Sequence, residues 1–260
     1  VSRAIWDFSG KTALVTGAAG GIGEQIVRQL AAASADVVFS DVNEAGGRAL
    51  ESELRRAGAN VRFLVSDAAN EGQVKVLVAA ALEIRGSLDM AINNVGGITR
   101  GDTCRGRLHE TDLAAWQATM DLNLTSCFLG MKHQLTPMLA AGKGAIVNLT
   151  SLAGMEWSEF STAAYSAAKA GVIRLSKFAA IAYAPAGVRV NVIAPGLTAT
   201  KKLLAGIPDE ESRKTRAARV PMNRMIDPAE TANACLWACS DAASGVTGLV
   251  IPVDGGKIAM

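Results

Sequence analysis

Short runs of β-branched and apolar residues alternate with longer segments of helical period along most of the chain. The runs at 12–16, 36–41, 61–65, 88–93, 145–149, 188–194 and 249–253 carry few charges, as strands covered on both faces do. Between them, the segments 23–33, 44–57, 71–85, 111–139, 163–182 and 228–239 repeat apolar positions at helical spacing. Such alternation predicts parallel strands joined by right-handed helical crossovers. The expected fold is α/β, a doubly wound parallel sheet of about seven strands with helices on both faces.

No repeat, low-complexity tract or linker divides the chain, so one domain over residues 1–260 is expected. One segment breaks the rhythm. Residues 197–225 mix charges with Gly206, Pro208 and Pro221 and read as a lid or substrate loop on the ligand-binding edge.

Composition narrows the function classes. Half of the 260 residues are hydrophobic and 19% are charged, which suits one large core. The net charge is +2 with Lys and Arg scattered, so no nucleic-acid partner is expected. No apolar run approaches the ~18 residues that span a bilayer. Residues 1–10 lack the basic start and apolar core of a signal peptide. A soluble, cytoplasmic protein with no membrane partner is expected. Cys104, Cys127, Cys235 and Cys239 form no disulfide framework. Cys235 and Cys239, four apart on a predicted helix, are either metal ligands or reduced thiols packed as small apolar residues. With only His109 and His133 to recruit, no metal site is expected.

Two patterns carry chemistry. Tyr165 and Lys169 stand four residues apart in a helical segment and share one face. An ammonium beside a phenol favours the phenolate, which lets the Tyr exchange a proton near neutral pH. The second pattern is Thr16-Gly17-Ala18-Ala19-Gly20-Gly21-Ile22-Gly23, directly between the first strand and the first helix. Glycines let the backbone approach a pyrophosphate while the helix N-terminus offers free N–H groups. Asp41 ends the second strand, in place to accept hydrogen bonds from ribose hydroxyls and to repel a 2′-phosphate. No Lys or Arg in the turn or just after Asp41 would neutralise that phosphate, so NAD is the expected cofactor. The alternative for Asp41 is a solvated turn aspartate or a helix cap.

Together these residues resemble the short-chain dehydrogenase/reductase family in its compact, single-domain form, over roughly residues 9–256. The glycine turn is similar to the family's Thr-Gly-x-x-x-Gly-x-Gly. Asn93-Asn94-Val95-Gly96 is similar to its Asn-Asn-Ala-Gly, with Val95 where Ala is usual. Ser151-Leu152-Ala153-Gly154 follows the fifth strand, Tyr165 and Lys169 fit Tyr-x-x-x-Lys, and Val253-Asp254-Gly255-Gly256 fits the usual close. The resemblance implies a Rossmann-type fold and hydride transfer between a nicotinamide and an alcohol or ketone. Tyr165 would be the general acid or base. Lys169 would hold the nicotinamide ribose and lower the Tyr pKa, and Ser151 would hydrogen-bond the reacting oxygen. Asn123 would keep a water in the proton path. Asp67 and Ala68 would meet the adenine, Asn94 and Gly96 the adenosine ribose side, and Pro195, Gly196, Thr198 and Thr200 the nicotinamide end. Thr150 is an adjacent rival to Ser151, and Asn123 has the alternative of bonding its own helix. Ser151 precedes Tyr165 by slightly more than the family's usual spacing, which puts the shape of the intervening loop in question. The resemblance also implies a homotetramer built on the segments 111–139 and 163–182.

Three stretches, 96–105, 154–162 and 197–207, should border the substrate. They contribute Ile98, Met155, Trp157, Phe160, Leu203, Leu204 and Ile207, which favour an apolar secondary alcohol or ketone: alicyclic, terpenoid, steroidal or a dihydrodiol. A rival is a 3-oxoacyl thioester on acyl carrier protein or CoA, drawn by Lys201, Lys202, Arg213, Lys214, Arg216 and Arg219. Asp209, Glu210 and Glu211 interrupt that run. A third reading is a regulatory or structural subunit that binds NAD without turnover; the presence of all four candidate catalytic residues disfavours it.

Overall fold

The computed structural model describes residues 6–103 and 107–260. The leader reading of residues 1–5, Cys104 and the 104–105 end of the first substrate stretch lie outside the described residues. Seven strands form one parallel sheet in the order β3-β2-β1-β4-β5-β6-β7. They are β1 (Thr12–Thr16), β2 (Asp36–Asp41), β3 (Val61–Val65), β4 (Met90–Asn93), β5 (Gly144–Leu149), β6 (Val188–Pro195) and β7 (Val250–Val253). The order reverses between β1 and β4, and a ligand cleft opens at such a switch point beyond the carboxyl ends of the strands.

The unbroken apolar run of β1 follows from cover on both faces. Ala13 and Val15 join one core cluster with Ile26, Val27 and Leu30 of α1 (Gly21–Ala32), Leu50 of α2 (Glu44–Arg56) and Leu236 of α9 (Pro228–Cys239). Leu14 points the other way, into a cluster with Leu77 of α3 (Glu71–Arg85), Met131 of α5 (Ser126–Ala141) and Val172 of α6 (Ala163–Tyr183). Cys127, Cys235 and Cys239 are buried free thiols within these cores. Among the described residues, no helix is long and apolar enough to cross a membrane.

The segment expected as one helix over 111–139 differs in one respect. It runs as α4 (Leu113–Met120), a π turn (Asp121–Thr125) and then α5. Asn123 sits in that π turn, and its side-chain amide, rather than a regular turn, supplies a donor to the Thr119 carbonyl at 2.8 Å. The segments on either side each keep a helical period, and the wider turn spans only five residues, too few for periodicity to reveal it.

The interval 197–225 contains two short helices, α7 (Lys201–Ala205) and α8 (Glu210–Ala217), capped by Thr200 and Asp209. It is clasped to the loop before α6. Phe160 lies under both Arg216 and Arg219, each 5.2 Å from its ring centre, and Arg219 pairs with Glu159.

Candidate active site

The β1–α1 turn lies hard against the chain that leaves β4. Gly17 and Gly21 take φ of 67° and 58°, where side chains are disfavoured. A Cβ on Gly17 would stand 3.0 Å from Val95 Cα, and one on Gly23 would stand 2.3 Å from the Gly17 oxygen. Asn94 Nδ2 donates to that same oxygen at 2.7 Å. The N-cap of α1, Gly20, supplies no side-chain cap, so the first N–H groups of the helix face the cleft.

Asp41 braces this turn. Its Oδ2 accepts from the Ala19 N–H and its Oδ1 from the Asn43 N–H, both at 2.9 Å. The side chain that caps α2 is Asn43, so Asp41 is not that helix's cap. Each carboxyl oxygen can accept one bond more, and Asp41 lines the cleft.

The cleft encloses about 900 Å³. Its lining includes Gly17, Gly20, Gly21, Ile22, Asp41, Asp67, Ala68, Asn94, Val95, Gly96, Ser151, Tyr165, Lys169, Pro195, Gly196, Thr198, Thr200 and Leu203. Of the residues singled out in the sequence, Gly23 and Asn123 sit one layer behind the lining. Met155, Trp157 and Leu204 lie outside it, and Trp157 is 81% exposed. The groove fits a dinucleotide. Bare glycine backbone, a helix N-terminus and an acid at the end of β2 occur in the order that pyrophosphate and ribose require.

Ser151 follows β5, and its side chain lies beside Tyr165 and favours the ionised phenol. Its Oγ also accepts from the Ala153 N–H at 3.2 Å. The rival Thr150 is buried and donates its hydroxyl to the Lys169 carbonyl at 2.7 Å, so it faces α6 instead. The longer Ser151–Tyr165 interval therefore leaves the two side chains together.

Lys169 is 2% exposed and donates to the Leu149 carbonyl at 3.1 Å. Burial pushes its ammonium down to about 8, with Cys127 opposing the shift. Burial also raises the Tyr165 phenol, and the neighbouring Ser151 side chain opposes that rise. Burial therefore opposes the lowering of the phenol expected from Lys169, whose ammonium also donates to a backbone oxygen.

Asn123 is buried behind Gly97. Its Nδ2 donates to the Gly97 carbonyl at 2.8 Å and its Oδ1 accepts from the Gly97 N–H at 2.9 Å. Gly96 fills the gap between the two catalytic candidates. A Cβ there would lie 2.5 Å from Lys169 Nζ and 2.7 Å from Asn123 Oδ1. Sequence reasoning missed Gly97, Thr162 and Asp102. Thr162 had a legible signal, a capping residue three positions before Tyr165 at the start of a helix. Asp102 had none, because its partners are distant in sequence.

A doubly wound sheet with a glycine turn and an acid at its switch point defines a dinucleotide-binding α/β protein. With Ser151, Tyr165 and Lys169 lining the same cleft, the chain belongs to the short-chain dehydrogenase/reductase family. Residues 17–257 match the family described as enoyl-(acyl carrier protein) reductase. The cis-4-hydroxycyclohexanecarboxylate dehydrogenase of Sinomonas cyclohexanicum is 42% identical over 253 residues, 97% of this chain and 98% of that one. A 2,5-dichloro-2,5-cyclohexadiene-1,4-diol dehydrogenase of Sphingobium indicum is 37% identical, covering 98% of this chain and 99% of its own. The solved structure of a short-chain type dehydrogenase/reductase from Mycobacterium ulcerans superposes with a TM-score of 0.91 at 32% identity, covering 97% of this chain and 91% of that one.

Proposed function

We propose that the protein is an NAD-dependent dehydrogenase that interconverts a largely apolar, alicyclic secondary alcohol and its ketone. The observation that carries this reading is the meeting of Ser151, Tyr165 and Lys169 at the mouth of a dinucleotide cleft. Tyr165 takes the hydroxyl proton in oxidation and returns it in reduction. Ser151 hydrogen-bonds the reacting oxygen and the phenol together. Lys169 holds a ribose and adds positive charge beneath Tyr165. Asn123 braces Gly97 and, in the family's pattern, holds a water of the proton path. Bound NAD would supply the hydride acceptor.

NAD over NADP rests on Asp41, whose cleft neighbours Val42, Asn43, Ser66 and Asp67 include no cation. The ring-alcohol class rests on the two relatives named for cyclohexane and cyclohexadiene substrates and on Leu122, Leu149, Leu197 and Leu203 in the lining. Terpenoid, steroid and dihydrodiol alcohols share that chemistry. The carrier-thioester alternative has less support, since Arg213, Arg216 and Arg219 of the lid already engage Glu210, Phe160 and Glu159.

The remaining expectations form one picture with this reading. The chain is one nucleotide-binding domain with residues 197–225 as its lid. The unpaired thiols of Cys127, Cys235 and Cys239 fit a reducing cytoplasm. A homotetramer is supported by apolar residues exposed on α5 and α6, namely Phe128, Phe178 and Ile181.

The test is nicotinamide absorbance with NAD and NADP across cyclic secondary alcohols, cis-4-hydroxycyclohexanecarboxylate and ring diols among them. NAD reduction is expected, with kcat/KM for NAD about tenfold or more above NADP, a difference of about 1.4 kcal/mol. Turnover of acyl thioesters alone with NADPH would install the carrier reading. Silence despite calorimetric NAD binding would install the non-catalytic one.

A further inference from the structure

Asp102 is 3% exposed on the loop between β4 and α4, and no role above uses it. Its Oδ2 accepts from Thr119 Oγ1 at 3.0 Å and from Thr162 Oγ1 in a closer contact. Each threonine adjoins an element that carries a candidate catalytic residue: Thr119 leads from α4 into the π turn of Asn123, and Thr162 precedes α6. The Thr119 carbonyl accepts from Asn123 Nδ2 at 2.8 Å. Thr162 is the N-cap of α6, and its Oγ1 accepts the Tyr165 N–H at 3.3 Å.

Hydroxyl valence gives this network a direction. A threonine hydroxyl has a single proton. With the Thr162 proton on Asp102, its lone pairs are left for the backbone of Tyr165. With the Thr119 proton also on Asp102, Thr99 must be the donor in the 2.8 Å hydroxyl pair of Thr99 and Thr119. The loop is closed on itself as well, through the Asp102 N–H to the Thr99 carbonyl at 3.1 Å. One carboxyl therefore ties the 96–103 loop to the end of α4 and to the first turn of α6.

We propose that Asp102 is a positioning residue that holds Tyr165 and the Asn123–Gly97 pair in register around one reacting oxygen. The inference rests on the Tyr165 chemistry proposed above. Misplacement of a reacting group by about 1 Å costs on the order of a hundredfold in rate, so a distant brace of this kind is visible in kcat.

The experiment measures Asp102→Ala, Asp102→Asn, Thr162→Val and the Asp102→Ala/Thr162→Val pair with the best alcohol of the panel, with Tyr165→Phe as reference. Asp102→Ala should lower kcat about 10- to 100-fold and leave the KM for NAD within about threefold. Asn keeps an acceptor oxygen toward both hydroxyls and should recover most of the loss. The double variant should be within about twofold of the worse single one, because both changes break one link. An Asp102→Ala enzyme with unchanged kcat overturns the inference. So does an Asn variant that folds as well as wild type yet is as slow as Ala, and so do losses that multiply in the pair. If Asp102→Ala does not fold, Thr162→Val decides: reduced kcat with retained NAD affinity supports the link, and unchanged kcat overturns it. Inert Tyr165→Phe beside fully active Asp102 variants fails this inference alone. Fully active Tyr165→Phe fails the chemistry beneath it.

Discussion

The Lys169 ammonium stands 5.7 Å from the centre of the Tyr165 ring and donates at 3.1 Å to the carbonyl of Leu149. Loss of surrounding water raises the phenol, at the cleft wall, and lowers the ammonium, which is fully buried.

Lys169→Met should stabilise the protein at pH 7 while removing most turnover. The folded ammonium titrates at about 8, below its ordinary 10.5. The unfolded chain therefore binds more protons between those values, so wild-type stability rises with pH there. The cost of the buried charge is full below about pH 8 and gone near 10.5. It amounts to about 3 kcal/mol at most, less the hydrogen bond to Leu149, on the order of 1 kcal/mol. Melting curves from pH 7 to 10 should show the variant's Tm advantage shrinking as pH rises. An advantage that grows with pH would contradict the assignment.

Tyr165→Phe removes the hydroxyl that exchanges the proton and leaves the ring packing. Turnover should fall by about 10³-fold or more, within the range of an acid–base role acting together with an oriented partner. NAD affinity, read by calorimetry, should stay within a few-fold. Full activity would take Tyr165 out of the mechanism.

Gly96→Ala places a methyl 2.5 Å from Lys169 Nζ and 2.7 Å from Asn123 Oδ1. Lys169 cannot swing away without losing the Leu149 carbonyl. The expected result is a drop in kcat of about tenfold or more together with a lower Tm, because the side chains that must yield, Lys169 and Asn123, are buried. Steady-state kinetics beside thermal melts tests it.

Asp41→Asn keeps an oxygen for the Ala19 N–H but removes the charge that faces a 2′-phosphate. The kcat/KM ratio of NAD to NADP should fall by about tenfold. An unchanged ratio would assign cofactor choice to another part of the cleft.

Phe178 and Ile181 are 61% and 77% exposed and lie three positions apart on α6. Light scattering should give the mass of four chains, and Ile181→Glu should dissociate them into smaller species. A wild-type monomer would remove the tetramer.

Much of the site was legible because its parts are local. The glycine turn, the acid at the end of β2 and the Tyr–Lys pair each lie within one strand end or one helical turn. Spacing alone places them on the right element. Trp157 shows the limit. An aromatic in a loop beside the site looked like substrate lining, yet it points to solvent, because the loop's direction depends on the clasp between Phe160 and the lid arginines. The π turn at Asn123 was equally hidden, since the segments on either side each keep a helical period and the wider turn is only five residues long.

By itself the sequence determined the strands, the crossover helices and the places of the glycine turn, Tyr165 and Lys169 on them, because hydrophobic period and turn chemistry act over a few residues, whereas Ser151 was singled out by the family resemblance. Only the tertiary structure decided which groups are dry and which oxygens they meet. It turned Thr150 toward α6 and Ser151 toward Tyr165, set Lys169 against Leu149, and brought Asp102 to Thr162 across 60 positions. Desolvation and hydrogen bonds between distant segments make those choices, and they exist only once the sheet and its two helical layers have closed.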